Sequence, residues 1–273
     1  AGLKEQVKQG VNAPCSIQPL TLYRQLGREI HGVVAEQYRL LNDEILPALA
    51  AENIVFLRRS LWTEAQSAWI REYFENEVMP VLTPVGLDPA HPFPLVANKS
   101  LNFIVRLKGS DAFGRNNEIA IVRVPRVLPR VIRMPGRVAP KGALFVMLSS
   151  VIRAHLADLF PGREVTEFSQ FRVTRHSDLA VDEEEVKNLR TALRKGLQHR
   201  HYGQAVRLEV SAGCSEFLSD FLLQQFGLPV QALYRVSGPV NLVRLNQLID
   251  LVDAPAMRFE HYAASWPHQL SQG

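Results

Sequence analysis

VLTPVGLDPAHPFP, Val81 to Pro94, divides the chain into two kinds of sequence. The run holds four prolines and one glycine. Each proline removes a backbone donor and restrains the residue before it. The run is therefore expected to lack regular structure and to mark a domain boundary. Helical periodicity dominates before it, and short apolar runs alternate with helices after it. The expected class is α+β: a helical segment over residues 1–82, then a mixed-sheet α+β domain over residues 83–273.

Upstream of the run, Leu22, Leu26, Ile30, Val33, Leu41 and Ile45 recur at three- or four-residue steps with one longer gap. That spacing predicts an amphipathic helix over about 20–52, buried along those residues and kinked or interrupted near its end at Pro47. A short apolar piece, IVFL, follows. Thr63 and Gln66 stand in capping-box spacing. The helix they open is expected to bury Ala65, Trp69, Ile70, Tyr73, Phe74 and Val78, and to stop at Pro80. The segment therefore reads as all helical. The opening AGLKEQVKQG reads as the last turns of a helix that starts before Ala1.

Downstream, LNFIVRL, EIAIVRV, FSQFRVTR, AVRLEV and VQALYRV read as strands, giving five or six in a mixed sheet. A helix is expected over 144–160, with Val151, Leu156 and Leu159 on its apolar face. Asp182 to about His199 carries a capping box (Asp182, Glu185), and Val186, Leu189, Leu193 and Leu197 supply its core face. Ser215 is expected to cap EFLSDFLLQQF, with Gly227 ending it and Pro229 just beyond. A last helix is expected over about 240–251.

Composition limits the function classes. With 273 residues, 47% hydrophobic and 21% charged, the chain is an ordinary globular sequence able to bury a core. No apolar run approaches the ~20 residues of a membrane helix, and no charged-then-apolar leader opens the chain. Cys15 and Cys214 have no metal-ligand spacing and read as free thiols of a cytoplasmic protein. Charge is uneven. Residues 1–80 hold 8 Lys+Arg against 10 Asp+Glu, and the remaining 23 and 17 lie in 81–273. The second part is the better candidate for meeting an anion.

Motifs for catalysis are missing. There is no phosphate loop, dinucleotide fingerprint, nucleophile elbow or HExxH. His199 and His201 fall at the expected helix end, where the dipole favours basic groups. His176 has Asp178 close in sequence, but sequence neighbours are rarely spatial partners. His91 lies among prolines and packs in a turn. The acidic run Asp182–Glu185 reads as a helix N-terminus.

The most basic stretch is RVPRVLPRVIRMPGR, Arg123 to Arg137, with five arginines and no carboxylate. Pro125, Pro129 and Pro135 exclude a helix, so the side chains fan along an extended, turning segment. Two readings stay open. Arg126, Arg130 and Arg133 grip a polyanion with their planar forks, or they stand on a strand edge and pair with protein groups. No aromatic residue interleaves them, which disfavours nucleic acid.

Five stretches, in this order, resemble a known family: EQYRLLNDEILPAL, VMPVLTPVGLDPAHPFPLVANKSLN, VPRVLPR, FRVTR with the following acidic helix, and LYRVSGPVNL. The chain resembles a polyphosphate kinase of the large, histidine-phosphorylating type. The resemblance implies that residues 1–82 match the later part of a helical N-terminal domain and that residues 83–273 match a head α+β domain. It also implies a parent protein that uses ATP and Mg²⁺ to extend a polyphosphate chain, reversibly, through a phosphohistidine. Catalytic and nucleotide-contacting residues would lie before Ala1 and beyond Gly273. This portion alone would be inactive and would associate subunits into a homo-oligomer through the head domain. His176 departs from the family pattern, in which a short polar or acidic residue is more usual.

Overall fold

The computed structural model describes residues 19–88, 92–110, 114, 117–140, 142–176 and 203–260. The acidic helix expected over 182–199, and His91, His199, His201 and Cys15, lie outside the described residues.

The fold is α+β. Helix α1 (Pro19–Arg39) runs into a π-helical turn (Leu40–Ile45) and then α2 (Leu46–Ala51). After a short strand β1 (Ile54–Phe56), α3 (Glu64–Tyr73) passes into a second π turn (Phe74–Val78) and a 3₁₀ turn (Met79–Val81). Both π turns end two residues before a proline, Pro47 and Pro80. Proline in a helix clashes with the carbonyl four residues back and cannot donate to it. A wider turn just before it relieves both problems. Pro47 is thus absorbed and the helix continues to Ala51. The capping box at α3 forms as expected: Gln66 N–H donates to Thr63 Oγ1 at 3.3 Å, and Thr63 N–H donates to Gln66 Oε1 at 3.0 Å.

A six-stranded sheet is ordered β2-β4-β3-β7-β8-β9. Its strands are β2 (Thr83–Gly86), β3 (Asn102–Lys108), β4 (Ile119–Arg123), β7 (Glu164–Arg175), β8 (Ala205–Ser211) and β9 (Leu233–Val236). All neighbours are antiparallel except β8 and β9. A three-stranded sheet is ordered β1-β6-β5, with β5 (Val131–Arg133) antiparallel and β1 parallel to β6 (Ala143–Met147).

Several expectations are corrected here. The proline-rich run contains β2, because Pro84 sits on an edge strand where its missing donor costs nothing. The segment before the run is not all helical, because IVFL supplies β1. The helix expected over 144–160 is instead β6, the short helix α4 (Leu148–Ala154) and a 3₁₀ turn (Leu156–Leu159). Gly142 makes this possible. It has φ +71°, and a Cβ there would lie 2.6 Å from the Asn53 carbonyl oxygen. Only glycine lets the backbone come in beside β1. The last helix is a 3₁₀ turn (Leu242–Asn246) followed by a short α6 (Gln247–Leu251). Residues 230–232 are 3₁₀ rather than strand.

The six-stranded sheet is covered on both faces, which explains the unbroken apolar runs in its central strands. Phe103, Val105, Ala120 and Val122 meet Ile70, Phe74 and Val78 on one face, together with Val146, Val151 and Ile152. Ile104, Ile121, Phe171, Val173, Leu208 and Val210 meet Leu218 and Leu222 on the other. These last two belong to helix α5 (Glu216–Phe226), capped by Ser215 Oγ, which accepts from Leu218 N–H at 3.3 Å. Gly227 ends α5 in the left-handed conformation, as expected.

The buried face of α1 also differs from the reading of its pattern. Leu41 is buried as expected, but it is joined by Val34 and Tyr38, whereas Leu26, Ile30, Val33 and Ile45 are exposed. The buried set is chosen by what β9 and the residues after it offer, not by the longest apolar stripe. Val33→Ala and Val34→Ala, one residue apart, separate the two faces. Val34, 6% exposed, is expected to cost about 1–2 kcal/mol, and Val33, 60% exposed, less than about 0.5 kcal/mol. Urea unfolding of both variants checks this, and equal losses would contradict the assignment.

Candidate functional site

Strands β7, β8 and β9 alternate their side chains between the two sheet faces. Phe171, Val173, Leu208 and Val210 enter one apolar core, so Gln170, Arg172, Arg207, Glu209 and Tyr234 share the opposite face, toward α1. Glu209 is 3% exposed in its side chain and forms ion pairs with Arg172 and Arg207. The Arg207 contact is also a hydrogen bond, whereas Arg172 Nε and Glu209 Oε2 are close but not aligned as one. Arg172 Nη1 donates to Asn241 Oδ1 at 3.0 Å, and Asn241 Nδ2 donates to the Lys99 carbonyl at 3.3 Å.

Aromatic side chains carry this cluster to α1. The Arg207 guanidinium lies 4.1 Å from the Tyr234 ring centroid, and Tyr234 stacks on His31 at 3.9 Å. The Tyr38 hydroxyl donates to the Pro239 carbonyl at 2.7 Å. Asn42 Nδ2 donates to the Ser237 carbonyl at 3.0 Å. Burial, and then the charge of Glu209, push the Tyr38 phenol well above its ordinary range. It therefore stays a donor. Gly238 lies against the Tyr38 ring, where a Cβ would sit 3.1 Å from two ring carbons.

The three arginines expected as an anion grip are placed in three different ways. Arg126 is exposed, and its Nη2 donates to the Asn98 carbonyl at 2.7 Å. Arg133, on β5, is exposed, and its Nη1 donates to the Leu251 carbonyl at 3.0 Å. Together with Arg258, which donates to Ile249 and Val252, it satisfies the free carbonyls at the end of α6. Arg130 turns inward. Its backbone N–H donates to Gln247 Oε1 at 2.7 Å, and its side chain lines a small pocket with Ser149, Gln170, Asn241 and Arg244. Burial first, then Arg244 and Arg126, push its guanidinium down to about 10.

Arg244, Arg172, Glu209 and Asn241 were not among the residues singled out from sequence. Arg172 and Asn241 do lie in two of the resembling stretches, FRVTR and LYRVSGPVNL. Arg244 joins Arg130 from more than a hundred positions away, and no local pattern announces that pairing. His176 follows β7, and its backbone N–H donates to the Gln204 carbonyl at 2.9 Å. Asp178 lies outside the described residues. Cys214 is buried, and burial pushes its thiol upward. Among the described residues, no three His, Cys, Asp or Glu side chains are grouped to hold a metal ion. No helix of the described residues is long and apolar enough to cross a membrane.

The stretches quoted from the sequence thus meet in space. Tyr38 and Asn42 touch Ser237–Pro239, Arg172 meets Asn241, and Arg126 and Arg175 both bond Asn98. An α+β core holding so many distant segments to one cluster defines a domain class rather than a reaction. Residues 65–248 match the family model described as the polyphosphate kinase middle domain. The chain belongs to the polyphosphate kinase family.

Among its relatives, the polyphosphate kinase of Pseudomonas putida is 48% identical over 99% of this chain and 38% of its own length. That of Neisseria meningitidis serogroup C is 53% identical over 83% of this chain and 33% of its own length. The crystal structure of polyphosphate kinase from Porphyromonas gingivalis superposes with a TM-score of 0.66. It covers 92% of this chain and 36% of that one at 22% identity, which supports the shared fold. The chain therefore spans about a third of the length of these relatives.

Proposed function

We propose that this chain is the middle portion of a polyphosphate kinase and does not itself carry the chemistry. The full-length protein would transfer the terminal phosphate of ATP to inorganic polyphosphate through a phosphohistidine, using Mg²⁺. Residues 1–82 would complete a helical domain and residues 83–273 would form the head. Their role is subunit association and shaping of the nucleotide end of the site. One observation carries this reading: the match to the polyphosphate kinase middle domain covers residues 65–248, which hold Arg172, Glu209 and Asn241 of that cluster.

The full-length protein carrying this chain is expected, in the presence of Mg²⁺, to convert ATP into ADP and acid-insoluble polyphosphate. A purified, folded full-length protein that makes neither would overturn the reading.

A further inference from the structure

The pocket beside Arg130 has a donor set that its own domain leaves unmatched. Arg130 is half-buried, and its Nη1 is fully buried with no acceptor among the described residues. Arg244 lines the same pocket from the 3₁₀ turn after β9. Neither arginine forms an ion pair with a described carboxylate. Glu209, the buried acid nearby, is already engaged by Arg172 and Arg207. Proteins rarely leave a buried guanidinium without a counter-charge, because desolvating it is costly. The guanidinium of Arg244, itself only half-buried, repels that of Arg130 across the pocket, and Arg126 adds a third charge close enough to be felt by Arg130. The remaining polar wall, from Ser149, Gln170 and Asn241, is neutral, and Gln170 Oε1 is its one buried acceptor without a partner among the described residues, too little to balance two guanidinium charges.

We propose that Arg130 and Arg244 form a binding site for a single phosphoryl group. The planar forks of arginine match phosphate oxygens two at a time. The pocket holds about 30 Å³, room for one phosphoryl oxygen, with the rest of the group at the mouth. It is too small for a base or sugar and is walled elsewhere by Leu101, Met147 and Val240. The site thus reads charge and tetrahedral shape, not a nucleoside. Arg133 takes no part, because it is committed to the end of α6. The site does not require that the full-length protein make polyphosphate, so its test stands apart from the activity assay.

The experiment uses the full chain at low salt, with inorganic phosphate, pyrophosphate and long-chain polyphosphate as separate probes. Binding is read by calorimetry and by thermal shift. At least one probe is expected to bind saturably and raise the Tm. Preference for inorganic phosphate or pyrophosphate identifies a free-anion site, and preference for the long chain identifies a polyphosphate site. Arg130→Met and Arg244→Gln are expected to weaken binding about tenfold or more, while Arg133→Gln leaves it unchanged. Without any probe, Arg130→Met is expected to keep or raise the Tm, since it removes an uncompensated buried charge. A purely structural arginine would give the opposite sign. Absence of saturable binding by all three probes, or unchanged affinity in Arg130→Met and Arg244→Gln, overturns the proposal.

Discussion

Glu209→Gln is expected to destabilise the chain by about 3 kcal/mol, the lower end of the cost of breaking a buried ion pair. The substitution keeps the shape of the side chain and removes its charge. Arg172 and Arg207 then face each other across β7 and β8 with side-chain exposures of only 16% and 25%. Neither can reach full hydration without leaving Asn241 or the Tyr234 ring. The damage spreads to α1, because Tyr234 also stacks on His31. Equilibrium urea unfolding measures the loss, and a change below about 1 kcal/mol would show that the cluster is solvated. A triple variant, Arg172→Leu with Arg207→Leu and Glu209→Met, tests the cause. Removing all three charges together is expected to recover most of the stability, because the penalty comes from unmatched charge rather than from the pair itself.

Phe74→Ala is expected to cost about 3–5 kcal/mol, since it opens a cavity where the structure has no slack. Phe74 is fully buried in the second π turn and packs against the sheet face formed by β3 and β4. Its ring centroid lies 5.0 Å from that of His155, so the cavity would also release the turn after α4. Phe217 provides the contrast. It is 42% exposed, and its main contact is the Arg106 guanidinium, 4.1 Å from the ring centroid. Phe217→Ala is expected to cost about 1 kcal/mol, the worth of a surface cation–π contact with little burial. Similar losses at the two positions would contradict the placement of the core.

The contrast between what sequence shows and hides has a consistent physical basis. Local chemistry was legible. Thr63 with Gln66 closed its capping box, Ser215 and Gly227 bounded α5, and the β-branched runs from Asn102 and Ile119 became central strands. Features decided by distant partners were not. The apolar stripe Leu26–Ile30–Val33 has the same helical spacing as Val34–Tyr38–Leu41, yet β9 and Pro239 receive the second set. Residues 143–147 are as apolar as a helix face, and only the docking of Gly142 against Asn53 makes them a strand. Pro84 suggested a break because its edge position could not be seen.

The site followed the same rule. The arginines of residues 123–137 were visible as a group, but their roles were set by Asn98, Leu251 and Arg244, none of which is a sequence neighbour. One signal was present and unread. Glu44-Ile45-Leu46-Pro47 and Glu77-Val78-Met79-Pro80 share a pattern, and each follows or completes a π turn. A proline that close to a helix end, preceded by acidic and apolar residues, marks a wide turn here rather than a stop.

The functional account places the reaction outside this chain and gives the chain the task of holding distant segments at one cluster. Incubating the purified, folded 273-residue chain with ATP and Mg²⁺ and measuring polyphosphate formation tests that division directly. The account predicts no polyphosphate and no ADP above the enzyme-free background. Sustained synthesis by the chain alone, abolished by a substitution within it such as His176→Ala, would contradict it.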